Sequence, residues 1–313
     1  MREIKIKFVD FSDEGLIKEL RKLLSKHYEL VECDNPDYLF YSVFGYEHLK
    51  YDCVRIFITG ENFSPDFNVC DYAMGFDHIS FEDRYLRVPL YLFYDYADGV
   101  SERASLTEDD IRLKSKFCNF VYSNSKNASP IREEFFHKLS EYKTVDSGGR
   151  FLNNIGGSVE DKDEFQKQYK FSIAFENSST SGYTTEKLFE ALKNGTIPIY
   201  WGNPNADKDF NPKSFINVHD YDSLDEVIEK VKQIDNDDSL FMEYLKQPMS
   251  IRPDLDTEPL KECEEFLRNI IEQDYDRAFR RKDSYFSKNY LKQMRFYFLK
   301  QQKLSDVMKK LRS

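Results

Sequence analysis

The sequence predicts an α/β protein of two Rossmann-like domains facing each other across a cleft. Three observations carry that reading. Short apolar runs rich in aromatic and β-branched residues alternate with amphipathic helical stripes, which favours parallel sheets covered by helices on both faces. The alternation occurs twice along 313 residues, a length that fits about two domains of roughly 150 residues each. Hydrophobic residues make up 40% and aromatics 16%, enough for a core in each half despite 32% charged residues.

In the first half, residues 4–11 alternate as a strand. Residues 13–28 carry Leu16, Ile17, Leu20, Leu23 and Leu24 on one helical face, with Ser12 or Asp13 as the cap. Residues 38–44, 54–59 and 72–76 read as short buried strands. The polar stretch 95–116, with Ile111 and Leu113 among charges, reads as a helical crossover. In the second half, strands are expected at 120–123, 170–175, 196–201 and 215–218. Helices are expected at 130–142, at 184–193 (stopped by Asn194-Gly195) and at 223–234. The expected boundaries are 1–115, 116–275 and a basic helical tail, 276–313.

Composition excludes several classes. The formal charge is −11, against general nucleic-acid binding. No apolar run approaches the ~20 residues of a membrane-spanning helix, and the N-terminus lacks the apolar stretch of a signal peptide. Cys33, Cys53, Cys70, Cys118 and Cys263 are scattered and odd in number. They fit small buried hydrophobes in a reducing cytoplasm, not a disulfide framework.

Residues 277–313 hold 12 Lys/Arg against Asp283 and Asp306, a net of +10 that leaves −21 on the rest of the chain. Tyr290, Met294, Tyr297, Leu304, Met308 and Leu311 form a stripe broken by Gln301, with Lys292, Arg295, Lys303 and Lys310 off it. Such a basic amphipathic helix suits an anionic membrane surface, or packing on the acidic body or another subunit.

The densest chemistry lies in Phe175–Lys187, FENSSTSGYTTEK, followed by LFEALKNGTIPIYWG. Here a polar loop joins a strand to a helix, the place where open α/β sheets bind ligands. The helix start offers unpaired N–H groups and the positive end of its dipole to an anion. Lys187 in the first turn opposes the dipole unless a phosphate meets it, and Glu186 can accept from ribose hydroxyls. A helix-favouring Glu beside a solvated Lys is the competing reading.

These residues resemble the donor-binding signature of the α-1,3/4-fucosyltransferases, especially the bacterial branch. The similarity is carried by Phe175, Glu176, Asn177, Tyr183, Thr185, Glu186, Lys187 and Ile197 to Pro204. It extends through Lys208 to Asp220 and upstream to Thr59-Gly60-Glu61-Asn62, Asp71-Tyr72-Ala73, Asp83 to Arg87 and Ser129 to Arg132. The resemblance implies an inverting glycosyltransferase of the GT-B type, with GDP-fucose bound in the C-terminal domain and an oligosaccharide acceptor.

It further implies that Glu61 is the general base, its pKa lifted by burial at the cleft wall. From the residues alone, the favoured reading is a strand-end Glu61 that caps backbone or pairs with Arg84 or Arg87. Arg132 becomes a diphosphate ligand and acts with Lys187 on the departing GDP, where the bare sequence offers a surface cation. Asn177, Tyr183 and Glu186 become donor contacts, whereas Tyr169 and Trp201 are expected to pack.

No cofactor or metal is expected. His27, His48, His78, His137 and His219 lack ligand spacing, and Asp207/Asp209 and Asp220/Asp222 resemble a D-x-D motif in letters only. The expected location is the cytoplasm, with the tail as a possible anchor to the inner membrane face. A transferase for another GDP-sugar and a non-catalytic nucleotide-sugar-binding protein are the alternatives.

Overall fold

The structure is a computed structural model. It describes residues 1–112, 114–123, 126–281 and 284–312, with side chains as far as residue 300. Leu113, and the side chains of Leu304, Met308 and Leu311 of the expected tail stripe, of Gln301 that breaks it and of Lys303 and Lys310 off it, lie outside the described residues. The chain forms two compact units: Met1–Val88 with Leu260–Ser313, and Pro89–Pro259.

Unit 1 begins with β1 (Arg2–Val9) and α1 (Glu14–Ser25). Asp13 caps the helix, its carboxylate accepting the Gly15 N–H at 2.8 Å, and all five residues of the expected leucine-rich face are buried. The helix is shorter than the 13–28 expected. The chain leaves it at Ser25 and enters β2 (Tyr28–Glu32), an edge strand whose charged alternation hid it. Then come β3 (Tyr38–Tyr41), β4 (Val54–Ile58), β5 (Tyr72–Gly75) and β6 (Tyr85–Arg87). They make a six-stranded, all-parallel sheet of order β2-β1-β3-β4-β5-β6. β3, β4 and β5 are buried along their whole length, as strands covered on both faces must be.

Unit 2 opens with α2 (Tyr96–Ala104) and α3 (Glu108–Arg112), the two pieces of the polar stretch. The expected strand at 120–123 lies earlier, as β7 (Lys116–Phe120). Its polar Lys116 and Asn119 obscured it. Asn119 is buried and satisfies itself by donating to the Phe171 carbonyl at 3.0 Å. α4 (Ile131–Ser140), β8 (Val145–Ser147), α5 (Lys162–Gln166), β9 (Tyr169–Phe175), α6 (Glu186–Lys193), β10 (Ile197–Trp201), β11 (Ile216–Asn217) and α7 (Leu224–Asp235) follow. The sheet order is β11-β10-β9-β7-β8, all parallel. α6 ends at Asn194, and Gly195 takes φ +67°, the left-handed turn that the Asn-Gly pair announced. α8 (Asp238–Lys246) and α9 (Pro253–Thr257) complete the unit.

The chain then returns to unit 1 through α10 (Lys261–Glu272), α11 (Tyr275–Ala278) and α12 (Tyr285–Arg312). This return moves the boundaries away from 1–115, 116–275 and 276–313. Residues 89–115 join unit 2, and residues 260–313 join unit 1. Part of the returning segment is held by a buried charge cluster at the start of β5, and α10 buries Cys263, Leu267, Ile270 and Ile271. Asp71 accepts the N–H groups of Arg280 and Arg281, both at 2.8 Å, and of Arg55 at 2.7 Å, and it pairs with the Arg281 guanidinium. Burial still pushes the Asp71 carboxyl above its ordinary value, with Arg281 as the main opposing charge.

The described part of α12 packs on its own chain. Leu291, Met294, Phe298 and Leu299 lie against the core around β3 and β4, and Phe298 stacks on Tyr46 at 4.1 Å. The Tyr290 hydroxyl donates to Asp66 and Arg295 to the Leu49 carbonyl. The buried stripe is thus rotated from the expected one: Tyr297 is exposed.

Candidate functional site

At the carboxyl end of the unit 2 sheet, four segments converge: the ends of β9 and β10 and the starts of α4 and α6. β9 delivers Glu176 and Asn177. Glu176 is fully buried, and its backbone N–H donates to the Trp201 carbonyl at 2.7 Å, so its position is fixed by the neighbouring strand. Its carboxylate accepts both the N–H and the hydroxyl of Thr185 at 2.7 Å, which closes the loop back onto the N-cap of α6. Gly202, after β10, makes room: a Cβ there would sit 2.4 Å from the Glu176 Cγ.

Lys187 completes the cluster. Its Nζ lies 3.1 Å from Glu176, 3.0 Å from Glu186 and 2.8 Å from the Thr185 hydroxyl. Burial lowers the tendency of Lys187 to stay protonated, but the two carboxylates outweigh it and hold the ammonium well above its ordinary pKa. Burial pushes the Glu176 carboxyl up, and the attraction of Lys187 only partly offsets this. For Glu186, burial is outweighed by Lys187 and its hydrogen bond, so its pKa falls. Lys187 is therefore a cation at a helix N-terminus, held by the Glu176 and Glu186 carboxylates.

Arg132 sits in the first turn of α4 and is buried, not the surface cation of the bare-sequence alternative. Its guanidinium donates to the Phe175 carbonyl and to Asn177 Oδ1, both at 2.9 Å, and lies 4.1 Å over the Tyr122 ring. Asn177 is anchored in turn, its carbonyl accepting the Ser129 N–H at 2.8 Å. The α4 start and the β9 end are thereby one unit, and Gly149 approaches so close that a Cβ would lie 1.9 Å from the Tyr122 carbonyl oxygen.

The loop from Ser178 to Thr185 is pinned by Asn203, which is wholly buried. Asn203 accepts the Gly182 N–H at 2.7 Å and donates to the Thr184 hydroxyl at 3.0 Å, and Gly182 takes φ +87°. Tyr183 is buried in this loop, and its carbonyl accepts the Tyr200 hydroxyl at 3.4 Å. Tyr169 packs and donates to Asp146 at 2.7 Å. Trp201 packs between Phe175 and His219.

The structure therefore gathers Arg132, Asn177, Glu186 and Lys187 at one end of the unit 2 sheet, with Tyr183 in the adjoining loop. Two residues outside the expected set support them: Glu176 and Asn203. Glu176 stands inside the quoted sequence run and Asn203 directly after it, but only their burial reveals that they position the others.

Glu61 belongs to unit 1, in the turn after β4. It is exposed, not buried as expected. Its N–H donates to the Thr59 hydroxyl at 3.0 Å, and its carbonyl accepts the Phe63 N–H at 2.7 Å. Arg84 is committed to the carbonyls of Phe67, Cys70 and Asp71, and Arg87 donates to the Phe76 carbonyl. Among the described residues no three His, Cys, Asp or Glu side chains form a metal-binding group, and no helix is long and apolar enough to cross a membrane.

Comparison with known proteins gives this arrangement a family. Residues 6–94 match the model of the α-(1,3)-fucosyltransferase N-terminal domain. Residues 111–265 match that of the glycosyltransferase family 10 (fucosyltransferase) C-terminal region. The α-(1,3)-fucosyltransferase of Helicobacter pylori is 35% identical over 77% of this chain, which spans 59% of that enzyme's length. The GDP-fucose protein O-fucosyltransferase 3 of Mus musculus is 31% identical over 55% of the chain, 39% of its own length. A crystal structure of an α1,3-fucosyltransferase with GDP-fucose superposes with a TM-score of 0.73 at 32% identity, covering 88% of this chain and 92% of that one. With 34% identity to a GDP-bound α1,3-fucosyltransferase over 91% of that chain, and with both family regions in order, this protein belongs to the glycosyltransferase family 10 fucosyltransferases.

Proposed function

We propose that the chain transfers L-fucose from GDP-β-L-fucose to a sugar hydroxyl with inversion, by a single displacement that needs no metal. The acceptor is O3 of GlcNAc in an N-acetyllactosamine-type glycan. The observation that carries this reading is the cation pair of buried Arg132 and half-buried Lys187 beside helix starts at the carboxyl end of a parallel sheet. That is a binding site for a diphosphate, in a chain whose relative was crystallised with GDP-fucose.

The chemistry follows from the charges. The acceptor oxygen attacks the anomeric carbon as the bond from that carbon to the β-phosphate oxygen breaks. Glu61 takes the acceptor proton. Negative charge builds on GDP, where Lys187 and Arg132 meet it, and preorganised cations in a partly dry site stabilise that charge strongly. Glu186 accepts from the ribose hydroxyls, and Asn177 and Tyr183 complete the donor contacts.

The test is GDP release from GDP-fucose by the purified chain, with EDTA present, with and without N-acetyllactosamine. Release that requires the acceptor is the expected result. Binding of GDP-fucose without release would favour a binding protein. Faster release from another GDP-sugar in direct competition would reassign the donor.

A further inference from the structure

The amino end of the unit 2 sheet holds a cavity of about 600 Å³, lined by none of the donor-cluster residues. Lys114 stands two residues before β7, and Lys170 is the second residue of β9. Glu176 and Asn177 follow the other end of β9, whose seven residues span about 20 Å. The cavity and the donor cluster therefore lie at opposite ends of one sheet.

The lining runs against the composition of the chain. Arg112, Lys114, Lys170 and Lys246 meet only Glu108 and Asp238, a surplus of two positive charges in a chain of formal charge −11. Glu108 is taken by Lys246 at 3.0 Å and by Arg112 at 3.8 Å. Lys170 shares Asp235 with Lys143, and Asp238 is exposed.

Lys114 is the cation left over. It is 7% exposed and has no carboxylate partner among the described residues. Its ammonium donates to the carbonyls of Lys167 at 2.9 Å and Asn194 at 3.2 Å. Burial and then Arg103 push its pKa down to about 8, with Lys167 adding to the fall and Asp110 opposing it. Arg103, on α2, is also buried and bound only to carbonyls, and its Nε–H finds no acceptor. Buried charges ordinarily carry a partner of opposite sign, and here two neighbouring cations have only the partial charges of carbonyl oxygens.

We propose that this cavity is a second anion site, in which Lys114, with Lys170, Lys246 and Arg112 around it, holds a doubly charged tetrahedral oxyanion of the phosphate type. An ammonium has three donors. Lys114 spends two on carbonyls, and the third remains for an anion oxygen. The charge surplus of the lining matches a dianion. Ile111, Phe241 and Met242 supply apolar wall, which keeps the local dielectric low and strengthens the attraction. The volume leaves room for the waters, or the larger molecule, that accompany a phosphate group.

The experiment saturates the protein with GDP, so that the donor cluster is occupied, and then titrates inorganic phosphate at constant ionic strength. Calorimetry reads the affinity, and amide NMR shifts read the place. Wild type should bind one phosphate, with shifts centred on Ile111 and Phe241. Lys114→Met should weaken binding about tenfold or more, the loss of a charge-assisted contact. Lys246→Gln changes an exposed side chain, so it keeps the fold and should weaken binding about threefold with GDP affinity unchanged. Sulfate, whose charge is constant over the range, should bind more weakly at about pH 9 than at about pH 7, because Lys114 loses its proton in between. No saturable binding, binding that GDP abolishes, shifts centred on the donor cluster, or a sulfate affinity independent of pH would overturn the site. If Lys114→Met fails to fold, the wild-type titration and Lys246→Gln still decide.

Discussion

Glu61→Gln keeps GDP-fucose binding and lowers turnover by about 10²-fold or more, the loss expected when a general base is removed. The substitution is nearly isosteric. The two hydrogen bonds that shape the turn run through the Glu61 backbone N–H and carbonyl, so they survive it. The donor cluster lies in unit 2 and is untouched. Calorimetry with GDP-fucose should therefore give the wild-type affinity while acceptor-dependent GDP release falls. Retained turnover would take the base role away from Glu61, and a parallel loss of donor affinity would show a folding defect instead.

Lys187→Ala is the second large effect, because the one ammonium that holds Glu176 and Glu186 is also the proposed contact to the donor diphosphate. Losing a charge-assisted contact to phosphate costs about 1.5–3 kcal/mol, or roughly 10- to 100-fold in affinity for GDP. The same change leaves the buried Glu176 and its neighbour Glu186 without their cation. Breaking a buried pair from one side costs about 3–5 kcal/mol.

The pH dependence has a definite sign. Burial already raises Glu176, and removing Lys187 raises it further. A carboxyl whose folded pKa exceeds its unfolded value loses stability as pH rises from the unfolded to the folded pKa. The variant should therefore be less stable, relative to wild type, at about pH 8 than at about pH 5. In wild type, the raised pKa of Lys187 keeps its contribution intact below the ordinary lysine value and removes it only in strong alkali. Thermal unfolding at the two pH values checks this. An equal loss at both would mean that Glu176 does not depend on Lys187.

Much of this was legible in the residues, for physical reasons. β3, β4 and β5 are buried on both faces, so they appear as unbroken apolar runs. α1 and α7 carry their leucine, valine and isoleucine stripes openly, with Asp13 and Ser223 as caps. The donor cluster is mostly local in sequence, from Glu176 to Lys187, and only Arg132 and Asn203 come from other segments.

What stayed hidden is short, polar or distant. β6 and β8 have three residues each, too few for periodicity to show. β2 alternates charge because it is an edge strand. The return of residues 260–313 to unit 1 brings Arg281 to Asp71 across 210 positions, and such a contact has no local signature. Exposure is equally silent in sequence: Glu61 reads as a buried residue of a cleft wall, and only the folded chain shows it in solvent.

The central claim is an inverting fucosyl transfer, and the anomeric configuration of the product tests it most directly. Proton NMR of the product from GDP-β-L-fucose and N-acetyllactosamine should show one fucosyl anomeric signal with the small coupling of an α-linked sugar, attached at O3 of GlcNAc. A β-linked fucoside, or free fucose with no fucosylated disaccharide, would contradict the account.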